Sequence, residues 1–351
     1  MIGGVALAAK HDAAGDHDEA INVLARATQA GDIEAMTELG KRLVVGDRAP
    51  LLPEDGARFL ADAMRAGSTD AALRLAAMAA LGAHMEQSWG VALGLLVRAA
   101  EQGSEPARGQ LRVLAGRPPS ETTPAEGWRG LAEGIDLESW IAPIPGIALH
   151  EQPAVRRFAG FVPEQACDWL IARARGRLKR ALIYDPDYGG DVVDEMRTNS
   201  AAGFDLMDVD LVQIAVQHRM AAVVGLPVRN MEGPTVLHYK TGQQITEHFD
   251  FLNPRNPNYE TEVRQRGERV VTFLLYLNDD YGGGETEFPR LGVRHKGSRG
   301  EGLFFENALP DGSPDTRSVH AGRPPTSGEK WIVSQFFRNR TALNTRAERI
   351  G

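Results

Sequence analysis

The first third of the chain repeats itself every 36 residues, and that period constrains the fold more than any composition value. Gly31, Gly67 and Gly103 hold one register, Ala35, Ala71 and Ala107 a second, and Leu39, Leu75 and Leu111 a third. Leu24, Leu60 and Leu96 keep the same phase, as do Ala27, Ala63 and Ala99. A unit of this length predicts a helix, a glycine turn and a second helix, with alanines where helices approach closely. The glycine falls where a helix C-terminus turns left-handed. Each unit can bury its apolar face only against a neighbour, so three units must stack. The stack is expected over residues 1–115, either as a concave surface for a protein or peptide partner or as a structural cap or dimerisation element.

Prolines then mark a boundary. Arg117-Pro-Pro-Ser-Glu-Thr-Thr-Pro124 and Ala142-Pro-Ile-Pro-Gly146 flank a short helical stretch from Trp128 to Trp140. Residues 116–146 therefore read as a linker with a short helix that packs against something. The full 351 residues have room for two or three domains. A net charge of −8 argues against a chain that coats nucleic acid or an anionic membrane. The one basic run, Arg173 to Arg180, reads as the solvated face and end of a helix, or otherwise as a segment that attracts an acidic substrate. The single cysteine, Cys167, cannot form an intramolecular disulfide, which favours a reducing compartment. The apolar stretch in Met1 to Lys10 is too brief for a membrane span and poorly shaped for a signal peptide. The expectation is a cytoplasmic protein.

From residue 147 onward the pattern changes to strands with a few helices. Helical periodicity covers 163–175 and about 208–224, and Tyr184 to Asp191 is rich in turn formers and reads as a loop. Apolar or alternating runs fall near 234–240, 245–250, 269–277, 302–306, 317–320 and 330–338; short strands bounded by Gly and Pro imply a β-sandwich or barrel. On this background stand His248-Phe249-Asp250, then His320, then Lys330. Residues i and i+2 of a strand share a side, so His248 and Asp250 project together. Two imidazoles and one carboxylate on one face of a metal, with open positions, is the geometry of non-haem Fe(II) sites, although zinc fits such a triad too. Lys330 lies in an otherwise apolar strand, where its desolvation is costly unless an anion meets it.

The surrounding segments carry a family likeness. They are Arg197-Thr-Asn-Ser200, His238 to Asp250, Arg269-Val-Val-Thr-Phe-Leu-Leu-Tyr-Leu-Asn-Asp279, Gly282-Gly-Gly-Glu-Thr-Glu-Phe-Pro289, Lys296 to Phe305, Asp315 to Gly322 and Gly328-Glu-Lys-Trp331. In order and spacing they resemble the catalytic domain of the prolyl 4-hydroxylase family of 2-oxoglutarate-dependent Fe(II) oxygenases, over roughly residues 145 to 340. The N-terminal units resemble Sel1-like repeats, relatives of the tetratricopeptide repeats, although Gly46-Asp-Arg-Ala-Pro-Leu-Leu-Pro53 departs from the usual connection.

The resemblance implies an α+β multidomain chain. A helical-repeat solenoid over 1–115 and the linker would be followed by a double-stranded β-helix (jelly-roll) oxygenase domain with flanking helices over 147–340, then a tail over 341–351. It implies His248, Asp250 and His320 as Fe(II) ligands and Lys330 as the partner of the distal carboxylate of 2-oxoglutarate. Tyr239 and Thr272 would bond the same carboxylate, and Arg197 would lie near the substrate channel. O2 is the second co-substrate and ascorbate a possible accessory. The implied reaction oxidatively decarboxylates 2-oxoglutarate to succinate and CO2 and hydroxylates a prolyl or other residue of a protein or peptide. No nucleic-acid or membrane partner is expected.

Ile245 and Phe336 stand where the family often carries an aromatic and a tryptophan, which leaves the hydroxylated residue open. The rival readings are an oxygenase of a free amino acid or other small molecule with purely structural repeats, a nucleic-acid demethylase, and a scaffold with a dead barrel. The demethylases usually place arginine where Lys330 stands. His218 and His295 lack ligand spacing, and Trp331 reads as barrel packing. Gly282-Gly-Gly284 is a turn, since no lysine or helix start follows it as a phosphate cradle requires.

Overall fold

The computed structural model describes residues 3–117, 126–185, 190–192 and 194–341. Residues 118–125 of the expected linker, 186–189 of the expected loop and 342–351 of the expected tail lie outside the described residues. Two compact units emerge, one of Met1–Trp140 with Asp205–Ala215, the other of Ile141–Phe204 with Val216–Gly351.

The first unit is helical: α1 (Gly4–Ala13), α2 (His17–Gln29), α3 (Ile33–Val45), α4 (Pro53–Arg65), α5 (Thr69–Leu81), α6 (Trp89–Glu101), α7 (Glu105–Leu114), α8 (Gly127–Glu133) and α9 (Leu137–Ile141). The helices α2, α4 and α6 begin 36 residues apart, and so do α3, α5 and α7. Gly31, Gly67 and Gly103 take φ of 87°, 106° and 95° between the helices of each pair, where an L side chain would be strained. The next residue, Asp32, Ser68 or Ser104, caps the second helix by accepting from the backbone N–H of Ala35, Ala71 or Ala107. Those alanines and Leu24, Leu60 and Leu96 are fully buried, so the period is a record of helix contact. Helices α3 and α4 approach closely. A Cβ on Gly56 would stand 2.7 Å from the Gly40 carbonyl oxygen and from Val44.

The connection after the repeats is packed. Trp128 lies under the guanidinium groups of Arg108 and Arg112, and Trp140 donates its indole N–H to the Leu114 carbonyl at 2.8 Å. Met207 and Leu206, from the distant segment of this unit, join the apolar cluster of Val44, Leu60, Leu75 and Met78.

The second unit begins with β1 (Ile147–Glu151), β2 (Ala154–Phe158), α10 (Glu164–Arg175), β3 (Lys179–Arg180), β4 (Ile183–Asp185), β5 (Gly190–Val192) and β6 (Ser200–Gly203). Next come α11 (Leu211–Val224), β7 (Thr235–Lys240), β8 (Ile245–His248), α12 (Tyr259–Arg266), β9 (Arg269–Tyr276), β10 (Gly282–Gly283), β11 (Thr286–Phe288) and β12 (Val293–His295). The last strands are β13 (Gly302–Glu306), β14 (His320–Gly322), β15 (Pro325–Ser327) and β16 (Glu329–Arg338).

The major sheet runs β1-β2-β13-β9-β16-β7-β6-β3 and the minor sheet β12-β11-β14-β8, with antiparallel pairing throughout. The core on which they close holds Leu237, Tyr239, Leu274, Tyr276, Phe288, Phe305 and Ile332. This is the strand-rich, two-sheet domain expected after the solenoid.

Three local expectations are corrected. Residues 317–320 are not one strand: Thr316–Ser318 forms a 3₁₀ turn, its Asp315 side chain accepting from the Arg317 N–H, and the strand starts at His320. Strand β8 ends at His248, so Asp250 lies just beyond it. The loop expected over 184–191 has paired ends, because Ile183–Asp185 runs antiparallel to Gly190–Val192. Helix α12, which has no buried residue, gave no apolar period by which to find it.

Candidate active site

Antiparallel pairing brings the distant histidines together: His320 of β14 lies opposite His248 of β8. Their ring centroids are 4.3 Å apart. Asp250 then enters between them, with Nε2 of His248 at 3.4 Å from one carboxylate oxygen and Nε2 of His320 at 3.4 Å from the other. One ligand atom from each of the three lies within 4.8 Å of the others. Both rings are held from behind. Nδ1 of His248 is 2.8 Å from the Thr246 carbonyl, and Nδ1 of His320 is 3.1 Å from the Ser318 carbonyl. A carbonyl only accepts, so each Nδ1 carries the proton and each Nε2 presents a lone pair to the centre.

Electrostatics match that arrangement. Burial would raise the Asp250 carboxyl, but the two imidazoles and the Thr272 hydroxyl outweigh it and hold the group below the usual carboxylate range. Burial pushes the His320 imidazole down to about 4, against the pull of Asp250, so it is neutral at ordinary pH. A carboxylate and a neutral imidazole are the forms that bind a metal. The donor set of two nitrogens and one oxygen, with its backing hydrogen bonds, fits a non-haem iron.

The Thr272 hydroxyl is engaged within the fold. It does not face the cavity; it donates to Asp250 at 2.7 Å and accepts from the Asn307 amide at 2.8 Å. On β9 it is fully buried, beside Phe305 of β13 and Phe336 of β16 in register, and the carboxylate is the acceptor within reach. It positions Asp250.

Lys330 is 1 % exposed, and among the described residues its one hydrogen bond runs to the Gly284 carbonyl at 2.8 Å. An ammonium has three protons to donate, so the group is left to seek an anion. Burial pushes it down to about 7, while Glu285 pulls the other way. Tyr239 stands directly opposite on β7, and the ammonium lies 5.4 Å from its ring and 5.6 Å from that of Tyr276. Burial also raises the Tyr239 hydroxyl, to about 12, so it remains a proton donor. The register thus places a buried cation and a buried phenol side by side, the pair a carboxylate wants.

The metal-type donors, Lys330, Tyr239 and Arg197 all line one cavity of about 870 Å³. Alternate residues of β16 line it as well: Lys330, Ile332, Ser334 and Phe336. Trp331 points elsewhere and stacks on His238 at 4.1 Å. Arg197 bridges Ile245 in sheet fashion and donates to the Asn199 side chain at 3.2 Å. Sequence reasoning missed Asn307, Gly284 and Thr286. Thr286 lines the cavity and shares a 2.9 Å hydrogen bond with the Tyr276 hydroxyl. Nothing local marks Asn307 or Thr286. For Gly284 the sequence offers only its place in the Gly282-Gly-Gly284 turn; in the fold its φ is 72° and a Tyr281 ring carbon lies 2.8 Å from where a Cβ would stand.

Comparison with known proteins agrees with this geometry. The model of the 2OG-Fe(II) oxygenase superfamily matches residues 234–338. The chain is 31% identical over 203 residues to a probable prolyl 4-hydroxylase 7 of Arabidopsis thaliana, covering 53% of this chain and 62% of that protein. It is 30% identical over 210 residues to prolyl 4-hydroxylase 2 of the same plant, covering 54% of this chain and 68% of that one. The match therefore spans slightly less than two thirds of the first relative and slightly more of the second. Among solved structures, the viral collagen prolyl hydroxylase of Paramecium Bursaria Chlorella virus-1 is 26% identical, with a TM-score of 0.41 over 52% of this chain and 95% of that one. Iron and 2-oxoglutarate are named in the superfamily's own description. With three metal-type donors and a buried lysine in one cavity, and with 30% identity to a prolyl 4-hydroxylase over two thirds of that protein's length, the chain belongs to the prolyl 4-hydroxylase family of 2OG-Fe(II) oxygenases.

Proposed function

We propose that this protein hydroxylates a prolyl residue of a protein or peptide, consuming 2-oxoglutarate and O2 and releasing succinate and CO2. The observation that carries the reading is the shared cavity: a His-Asp-His donor set and a buried lysine with a free demand for an anion. His248, Asp250 and His320 are the proposed metal ligands, with Thr272 and Asn307 fixing the carboxylate. Iron would supply the oxygen chemistry; the chain supplies position, a dry wall and an open coordination side. Lys330 and Tyr239 take the distal carboxylate of 2-oxoglutarate, a charge-assisted contact that sets which end of the dicarboxylate faces the metal. Leu237, Ile245, Leu274 and Phe336 keep water from the same space. Arg197 stands at the wall where a substrate chain enters.

Two finer points belong to the proposal. The helical repeats take part in recognising the protein substrate, supported by their continuous stack of two-helix units. The setting is the cytoplasm: Cys167, the one cysteine, is buried, and burial pushes its thiol up to about 12. Among the described residues no helix is long and apolar enough to cross a membrane. The test is turnover by the full chain with Fe(II), ascorbate, 2-oxoglutarate and proline-containing peptides. Succinate release coupled to a gain of one oxygen atom on proline is expected. Oxygen gain on another residue, or succinate only with free amino acids, would overturn the prolyl assignment.

A further inference from the structure

The basic run of the oxygenase unit is a feature that the proposed reaction leaves unused. Between Asp168 and Asp185 the chain has no acid, and five of the eight residues from Arg173 to Arg180 are cations, in a protein of net charge −8. Arg173 and Arg175 close the last turn of α10, where cations suit the negative end of the helix dipole. Arg177, Lys179 and Arg180 lie beyond that helix, so the dipole does not account for them. The Arg175 guanidinium lies over the Trp331 ring at 5.1 Å, an arrangement that uses its face and leaves its N–H edge for an acceptor. Arg175, Arg177 and Lys179 are exposed, and among the described residues Arg175 and Lys179 pair with no carboxylate.

The run leads straight to the cavity. Lys179 and Arg180 form β3, in register with Ala201 and Ser200 of β6. The Ala181 N–H then donates to the Asn199 carbonyl at 3.0 Å, and Leu182 stands in the cavity wall. Arg180 donates to the carbonyls of Thr198 and Asp194, which ties the strand to the segment carrying the cavity-lining Met196 and Arg197. An extended chain advances about 3.3 Å per residue, so Lys179 lies at most about 10 Å and Arg177 about 17 Å from Leu182. At the same wall Leu182, Met196 and Phe249 are 42, 48 and 37% exposed, large apolar side chains turned to solvent beside the metal-type donors. Of the acids nearby in the chain, Asp194 accepts from the Met196 N–H at 2.6 Å and Glu247 lies 3.9 Å from Arg323, while Glu195 is exposed.

We propose that Arg175, Arg177 and Lys179 dock acidic side chains of the peptide substrate, while Leu182, Met196 and Phe249 receive the apolar residues beside the one that reacts. The substrate class is then a protein segment with Asp or Glu about three to five residues from the reacting residue, the spacing at which an extended chain spans the same 10 to 17 Å. The charges are complementary and exposed, so they favour encounter and orientation and are weakened by salt. That the docked chain is a substrate rests on the function proposed above; that the basic run binds an acidic peptide does not.

The experiment uses the full chain with Fe(II) and 2-oxoglutarate, first without O2 to read binding and then with O2 to read turnover. The probes are fluorescent peptides of equal length around one proline, carrying either two glutamates or two glutamines at the stated spacing. The acidic peptide should bind about 2- to 30-fold more tightly, the worth of two exposed ion pairs, and the preference should shrink as salt rises. Lys179→Gln should lower the preference by about 1.5- to 5-fold, and Arg175→Glu with Lys179→Glu should abolish or reverse it. Lys179→Arg keeps the charge and should keep the preference. Equal binding of the two peptides overturns the proposal, as does a preference untouched in both Lys179→Gln and the double variant. Tighter binding of an oligonucleotide of equal charge than of the acidic peptide would make the run a nucleic-acid site and overturn it too. Charge-selective binding without turnover leaves the docking standing and removes the reaction; turnover without charge selection removes the docking alone.

Discussion

In the helical unit the decisive contacts join residues at a fixed spacing, whereas in the oxygenase unit they join residues with no common spacing at all. Asp32, Ser68 and Ser104 each cap a helix three residues on, and the same relation recurs every 36 residues. Lys330 instead meets Gly284, Thr272 meets Asp250, and His248 meets His320, at separations of 46, 22 and 72 residues. The two regions also differ in what they bury. The repeats hide mostly alanine, glycine and leucine, whose cost lies in shape, with a few paired polar groups such as Arg42 on Asp12 and Gln110 on the Leu211 N–H. The barrel hides a carboxylate, an imidazole and an ammonium, each of which is costly to desolvate without a partner. Function sits where burial is expensive, and stability where it is cheap.

The sharpest way to break that contrast is to remove a donor from the centre. His320→Ala or Asp250→Ala should lower iron-dependent succinate production by more than about 100-fold, with the circular dichroism of the full chain preserved. Activity within a few-fold of wild type would remove these residues from the metal. Thr272→Val keeps the shape but deletes the hydroxyl on Asp250. It should weaken metal binding by about 10- to 100-fold and leave the KM for 2-oxoglutarate nearly unchanged. The opposite result would restore the co-substrate role expected from the sequence.

Lys330→Met should raise the KM for 2-oxoglutarate by about 10- to 100-fold, the worth of a charge-assisted bond. Its pH behaviour has a definite sign. Unfolded, this lysine keeps its proton to the ordinary value of 10.5, whereas in the fold burial brings it down to about 7. Between those values the unfolded chain holds the extra proton, so this group makes stability rise with pH and its penalty is fullest below about 7. Lys330→Met should abolish that rise in thermal melts without 2-oxoglutarate. Binding 2-oxoglutarate above pH 7 must return a proton to Lys330, which calorimetry in buffers of different ionisation heat will register.

The helical unit should respond to volume. Gly56→Ala places a methyl 2.7 Å from backbone and from Val44, and neither can yield; about 1–3 kcal/mol of stability should be lost. Gly94→Ala, in α6 with nothing within 4 Å, should instead gain about 0.5–1 kcal/mol from helix propensity. Equal shifts in the melting temperature for the two would mean that close helix approach does not limit this unit.

Much of the molecule was legible before folding, for identifiable reasons. The 36-residue period exposed the repeats because each helix pair meets an identical neighbour and needs the same residue at the same place. His248, Asp250, His320 and Lys330 stood out because ionisable groups amid apolar runs are costly there. Thr272 was placed in the cavity from family likeness, yet its hydroxyl turns to Asp250, a choice made by a neighbour 22 residues away. Helix α12 escaped notice because none of its residues is buried and no apolar stripe was written into it.

By itself, then, the sequence determined the repeat, the strand order of the motifs and the identities of the donors, since period and residue chemistry are local properties of the chain. Only the tertiary structure decided which donors share a cavity, which hydroxyl supports a ligand, and that Arg74 and Gln110 close on Met207 and Leu211. Those are distances between residues far apart along the chain, set by strand register and helix packing.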